Sequence, residues 1–216
     1  MLISHAHDDH LDPAFLMHRG WVSTEPLQVI GPAPAIELCR DWLAPDQTAV
    51  TLTVVTAGDT FEVDGYRVQV LPATHHALGE AVLYAIEHEG RRLLYATDTG
   101  PWKPAVLELL AGWRFDLVLL DVLLPGRNGL EALAELRCRR SVPVILMSAL
   151  GAEQDRIASF SQGADDYLPK PFAMAELEVR IAAILRRVAY ERRRHEPAVD
   201  GGLRFDESRG DVCHEG

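Results

Sequence analysis

Phe115-Asp116-Leu117-Val118-Leu119-Leu120-Asp121 is the stretch on which the reading of this chain turns. Four consecutive apolar residues between two aspartates fit a strand buried on both faces of a sheet, with a carboxylate at its tip. Working outward, Gly129–Arg137 reads as a helix, Val142–Met147 as a strand and Ala152–Ser161 as a helix. Asp166–Leu168 then gives a short strand and Ala173–Arg187 a long helix. On the other side, Pro104–Leu110 is a helix opened by proline, preceded by the strand Leu93–Ala96. Strand and helix alternate from Leu93 to Arg187, which predicts right-handed parallel crossovers.

Further upstream the pattern changes. Thr51–Val55, Thr60–Val63, Arg67–Leu71 and Ala81–Glu87 are β-rich. Turn signals at Ala57-Gly58-Asp59, Asp64-Gly65 and Glu89-Gly90 separate them, which predicts a meander running into Leu93–Ala96. Met1–Ser4 and Leu27–Ile30 read as short strands and Ala33–Leu43 as a helix. Arg192-Arg193-Arg194 and 197–202 read as a linker, and 203–216 has room for one or two weak strands. The expected fold class is α/β with an α+β N-terminal part.

Composition sets outer bounds. With 216 residues, 48% hydrophobic and 25% charged, the chain is expected to be a globular protein of one or two domains. The net charge of −11 disfavours nucleic acid as a partner of the whole chain. No apolar run reaches the roughly 20 residues of a membrane span, and the N-terminus lacks the pattern of a signal peptide. Cys39, Cys138 and Cys213 are widely spaced and odd in number, as in reduced cytosolic thiols, so the expected location is cytoplasmic. Residues 1–115 hold 15 acidic against 7 basic side chains, and 116–216 hold 17 against 14. Seven of the nine histidines fall within the first 88 residues, so two modules of different chemistry are expected.

The first module's chemistry lies in His5-Ala6-His7-Asp8-Asp9-His10, three imidazoles and two carboxylates within six residues. Neutral imidazole and carboxylate suit zinc, manganese or iron. Further candidates are His75 or His76 and, at the tip of the next buried strand, Asp98. His18 and His88 read as ordinary surface residues. The run His5 to Asp12, with Ala73-Thr74-His75 and Tyr95-Ala96-Thr97-Asp98-Thr99, resembles the metallo-β-lactamase fold superfamily, nearest its phosphodiesterase-like hydrolases. That resemblance covers about residues 1–121. It implies one metal ion on His5, His7 and His75, a second on Asp9 and His10, and Asp98 bridging both. The ions would be Zn²⁺ or Mn²⁺, with Asp9 in the catalytic centre. Two such ions activate a water and clamp the oxygens of a phosphodiester. Members carry strands upstream of the His-rich motif and a last metal-binding histidine on a later strand. Here nothing precedes Met1-Leu2-Ile3-Ser4, and the comparable later strand, Val142–Ser148, has no histidine, which implies a weakened second site.

The second module begins at Phe115. Asp121-Val122-Leu123-Leu124-Pro125-Gly126, then Pro143–Ala149, then Gly163-Ala164-Asp165-Asp166-Tyr167-Leu168-Pro169-Lys170-Pro171-Phe172 resemble a response-regulator receiver domain. By that resemblance Asp121 is the phosphoacceptor, Ser148 and Lys170 hold the phosphoryl group, and Tyr167 is the rotameric switch. Lys170-Pro171 would be cis, and Mg²⁺ would be the cofactor. The strand–helix–strand–helix half that carries a receiver's acidic metal pair is not found. Leu203-Arg204-Phe205-Asp206 resembles the opening of a winged-helix effector domain, and no recognition helix follows.

Both families use a strand of the form Asp-Leu-Val-Leu-Leu-Asp, so the expected architecture is a chimera joined at 116–121. A partial metallo-β-lactamase-like meander would continue into a parallel sheet of receiver, flavodoxin-like type. The expected division is 1–115 for the metal-binding region, 116–188 for half a receiver, 189–202 for a linker and 203–216 for the start of an effector domain. If the strands ending before Asp98 and Asp121 are neighbours, both carboxylates fall on one sheet edge. The first functional expectation is a dinuclear metal-dependent hydrolase acting on a small phosphodiester. The alternatives are a response regulator phosphorylated on Asp121 by a sensor histidine kinase, and a chain inactive on both counts. Neither DNA nor a membrane is an expected partner.

Overall fold

The computed structural model describes residues 1–7, 11–44, 49–74, 80–97, 101–122, 128–139, 141–148, 157, 159–195, 203–206 and 211–214. At its centre is a mixed seven-stranded sheet, β3 (Thr60–Val63), β4 (Tyr66–Pro72), β5 (Val82–His88), β6 (Arg91–Ala96), β7 (Leu117–Val122), β8 (Val144–Ser148) and β9 (Asp166–Pro169), in that spatial order. From β3 to β6 the pairing is antiparallel, and from β6 to β9 it is parallel. Two hairpins build the antiparallel part. Asp64 and Gly65 at the β3–β4 turn, and Glu89 and Gly90 at the β5–β6 turn, all have positive φ. Such two-residue turns match the twist of the strands they join.

The apolar run of β7 is explained by cover on both sides. On one face Leu94, Ala96, Val118, Leu120 and Leu146 pack against Val106 and Leu110 of α3 (Pro104–Gly112) and against Ala132, Leu133 and Leu136 of α4 (Asn128–Arg139). On the other, Leu117, Leu119, Ile145, Met147 and Leu168 pack against Leu177 and Ile184 of the long C-terminal helix, Met174–His195. Alternate residues of one strand thus enter different cores, as the strand's period of two requires.

The N-terminal region departs from expectation in three places. A helix α1 (Ala14–Val22), unanticipated in the sequence, starts just after Asp12, whose Oδ1 accepts the Ala14 amide at 3.0 Å. Leu16 of α1 is fully buried with Ile36 and Cys39 of α2 (Ala33–Asp41). Secondly, β2 (Val50–Val54) does not join the meander. It pairs in parallel with β1 (Leu27–Gly31), because α2 between them carries the chain back over β1. Thirdly, Met1–Ser4 is not a full strand. Leu2 forms one parallel bridge to Ile30 and the segment lies in the seam between the two sheets. Ile3 donates to the Ile30 carbonyl at 2.8 Å, the Val82 amide donates to Ser4 O at 3.0 Å, and the buried Tyr84 hydroxyl donates to Ile3 O at 2.7 Å. Gly31 permits this, since a Cβ there would lie 3.1 Å from the Ile3 carbonyl oxygen.

Beyond β9, the long helix (α5) continues past the expected end at Arg187 and takes in Arg192–Arg194. A separate antiparallel pair, β10 (Leu203–Asp206) and β11 (Asp211–His214), occupies the segment expected to hold weak strands. The expected helix at Ala152–Ser161 falls mostly outside the described residues. Among the described residues, no helix is long and apolar enough to cross a membrane.

Candidate functional site

The strand directions set one edge of the large sheet apart. At that edge β4 ends, β5 begins, and β6, β7, β8 and β9 all end, since Pro72 pairs with Val82, Ala96 with Leu120, Val122 with Ser148, and Ser148 with Pro169. The C-terminal edge of parallel strands is where open α/β sheets bind ligands, because loops there are free to vary while the strands fix their roots. Ser4 and His5 reach the same edge through the bond from Val82.

Asp121 is the centre of what the structure brings together there. It sits one residue before the end of β7, level with Met147 of β8, and is 1% exposed. Lys170, just after β9, places its Nζ 2.5 Å from Asp121 Oδ2. A carboxylate this deep carries a large desolvation penalty unless a cation and further polar groups compensate. The lysine is held from behind, because its backbone amide donates to the Ser148 carbonyl at 2.7 Å. Ser148 ends β8 and is buried, and the Lys170–Pro171 peptide is cis, as expected. Tyr167 lies on β9, buried in the core beneath α3 and α4. Asp121, Ser148, Lys170 and Tyr167 thus occupy the edge region of three adjacent parallel strands.

Around Asp165, just before β9, a set of ion pairs braces the opposite edge, where β8 and β9 begin. Asp165 Oδ2 accepts from Arg137 of α4 at 2.7 Å and from the Val144 amide at 2.9 Å, while Oδ1 accepts from Arg187 of α5 at 2.7 Å. In the sequence Asp165 and Val144 stand only as members of the receiver-like runs, with no pairing assigned to them or to Arg137 and Arg187. Thr97, directly after β6, was quoted only as part of a motif. It is 1% exposed, and its Oγ1 lacks a hydrogen-bond partner among the described residues.

The histidine constellation is described in part. His5 is 3% exposed, with Nδ1 2.9 Å from Ser4 Oγ. The His7 ring meets it edge-on, centroids 4.7 Å apart at 81°. Asp9, His10, His75, His76 and Asp98 lie outside the described residues. Thr74, which leads into His75, donates to the Pro101 carbonyl at 2.7 Å, so the loops after β4 and β6 meet. Two imidazoles in contact suit one zinc-class ion as donors, yet among the described residues no three metal-binding side chains gather. His88, read as a surface residue, is half-exposed and stacks on Tyr66.

A buried carboxylate near the end of one parallel strand, met by a lysine that follows the strand two places along the sheet, marks this edge of the α/β fold. The chain belongs to the response regulator receiver domain family, whose model matches residues 61–182. That match begins well upstream of Phe115, where the motifs start. The transcriptional activator protein PfeR of Pseudomonas aeruginosa is 54% identical over 110 residues, which is 51% of this chain and 36% of that protein. The transcriptional regulatory protein CpxR of Escherichia coli K12 is 46% identical over 102 residues, covering 47% and 42%. The chain therefore spans less than half the length of these relatives. In fold it is similar to the metallo-β-lactamase fold protein YhfI of Bacillus subtilis, with a TM-score of 0.58 at 11% identity, over 78% of this chain and 72% of that one. One chain thus combines the receiver family with a metallo-β-lactamase-type framework, as a chimera of the two does.

Proposed function

We propose that this chain accepts a phosphoryl group on Asp121, with a histidine kinase as its donor partner. The observation that carries this reading is the 2.5 Å approach of Lys170 Nζ to the buried Asp121 carboxylate. Attack by a carboxylate oxygen on phosphorus forms the acyl phosphate, and the phosphorus–nitrogen bond to the donor imidazole breaks. Lys170 then has a phosphoryl oxygen to pair with in place of the carboxylate. The Ser148 hydroxyl on the next strand end takes a second phosphoryl oxygen, and Tyr167 reports the change toward α3 and α4. Mg²⁺, when bound, neutralises charge on the transferring group. Incubation of the full chain with acetyl phosphate and Mg²⁺ is expected to add one phosphate by intact mass. Asp121→Asn is expected to add none, and an unchanged wild-type mass would overturn the reading.

A second reading is favoured by the edge-on contact between the buried His5 and the part-exposed His7. In it His5, His7, Asp9, His10, His75 and Asp98 bind Zn²⁺ or Mn²⁺ and act on a small phosphodiester. Elemental analysis is expected to find zinc in the purified chain and less of it in His7→Ala. Equal zinc in both would remove this reading, and turnover of a chromogenic phosphodiester by the wild type alone would extend it to catalysis.

A further inference from the structure

We propose that β2 is a self-association edge, along which two copies of this chain pair β2 with β2, antiparallel, about a two-fold axis at Leu52. The inference goes beyond both readings above and uses none of their residues. Val50-Thr51-Leu52-Thr53-Val54 reads the same in either direction, and Ala49 and Val55 flank it with small apolar side chains. An antiparallel pair centred on Leu52 sets that leucine against its own copy, Thr51 against Thr53 of the partner subunit, and Val50 against Val54 of the partner subunit. Like therefore meets like at every position, and each contact occurs twice, as an isologous interface requires.

The backbone is set for the same register. The Leu27 amide donates to the Ala49 carbonyl at 2.8 Å, and the Val55 amide donates to the Gly31 carbonyl at 2.9 Å. Alternate residues of a parallel strand turn their backbone groups to one neighbour, so Ala49, Thr51, Thr53 and Val55 face β1. The N–H and C=O groups of Val50, Leu52 and Val54 then face outward, where among the described residues no further strand pairs with β2. Leu52 belongs to this outward set, so a two-fold axis there makes hydrogen-bonded pairs of Leu52 with its copy and of Val50 with Val54. An axis at Thr51 or Thr53 would bring together backbone groups already spent on β1. The side chains agree. Val50 and Leu52 pack on Ile36 and Cys39 of α2, while Val54, next along that face, is exposed and would be covered by the partner subunit's Val50.

Charge singles out this edge for a second copy. With a net charge of −11, two chains meet most readily along a neutral stretch, and β2 carries no charged residue. The outer strands of the large sheet contain Glu62 in β3 and Asp166 in β9. Charged residues and proline are the usual protection of an edge strand against pairing, and β2 has neither.

Sedimentation velocity of the full chain, in a concentration series up to about 1 mM where weak association still registers, is expected to show a monomer–dimer equilibrium. Thr51→Lys combined with Thr53→Lys sets like charges opposite one another and is expected to weaken the dimer about tenfold. Thr51→Glu combined with Thr53→Glu is expected to weaken it similarly, and an equal mixture of the two variants to regain association. Circular dichroism checks that each variant keeps the wild-type fold; should one not fold, the other alone decides. A wild type that stays monomeric throughout overturns the proposal, as does growth beyond a dimer, because the two-fold pair uses up the edge. A dimer that the variants leave unchanged overturns it too, as does a mixture that associates no better than its components.

Discussion

Two buried oxygen-bearing side chains show how differently a polar group can be accommodated in this molecule. Asp121 is compensated by an ammonium 2.5 Å away, whereas the Tyr84 hydroxyl is compensated by a single backbone carbonyl, that of Ile3. Burial, with a smaller contribution from Tyr95, pushes the Tyr84 phenol well above its ordinary value near 10. A raised folded-state value means that the folded chain holds this proton more tightly than the unfolded one. The associated stability is therefore fully present below about pH 10 and lost as pH rises from there toward the folded value. Tyr84→Phe is expected to cost about 1 kcal/mol in urea denaturation at neutral pH, the worth of one buried hydrogen bond. Its stability should also fall less steeply than the wild type's above pH 10, and parallel pH curves would count against the assignment. The Asp121 motif was legible from residue types alone, since the strand, the Lys-Pro-Phe run and the cis bond all have local signatures. Thr97 had none, because a buried threonine is ordinary until its neighbour across the sheet is known.

Among the elements, the parallel strands depend on a brace that no motif announced. Asp165 ties α4, α5 and the first residue of β8 together through three side-chain acceptor contacts. Arg137 also donates to the Gly163 and Val142 carbonyls, so it would keep its charge but lose its counter-ion if Asp165 were removed. Asp165→Ala is expected to cost about 2–3 kcal/mol in urea denaturation, because it strands a partly buried guanidinium and a backbone amide. Arg187→Ala should cost less than about 1 kcal/mol, since that arginine is half in solvent. Equal losses would mean that the brace is only a surface ion pair. Helix and strand types from β3 to α5 were largely legible, through hairpin turns, the doubly buried run of β7 and the proline opening α3. The failures were α1, whose start is marked only by Asp12 and Pro13, and β2, whose partner depends on where α2 returns the chain.

On the scale of the whole molecule, the two sequence halves share one core. Leu71, Leu83 and Leu94 from the meander pack in the same cluster as Leu133, Leu146 and Tyr167. Trp102, between β6 and α3, donates its indole N–H to the Ala132 carbonyl of α4 at 2.8 Å. Leu120, on the strand common to both resemblances, is fully buried in that cluster. Leu120→Ala is therefore expected to cost about 2–5 kcal/mol, the usual range for a large-to-small core change. Unfolding followed by far-ultraviolet circular dichroism and by tryptophan fluorescence should give coincident midpoints. Separate midpoints would mean that the halves fold as independent units.

The balance of acidic and basic residues, the histidine run and the receiver motifs could all be read without a fold, because each is a pattern of neighbouring residues. That is how the two family resemblances and the strand they share were legible. Tertiary structure alone decided that β6 lies parallel beside β7, that Met1–Ser4 fills a seam, and that both constellations are rooted at one sheet edge. Strand order is set by side chains packing across long sequence separations, which leave no periodic trace along the chain. The edge that results sets Ala96 beside Leu120, the residues just before Thr97 and Asp121, a juxtaposition that neither motif contains.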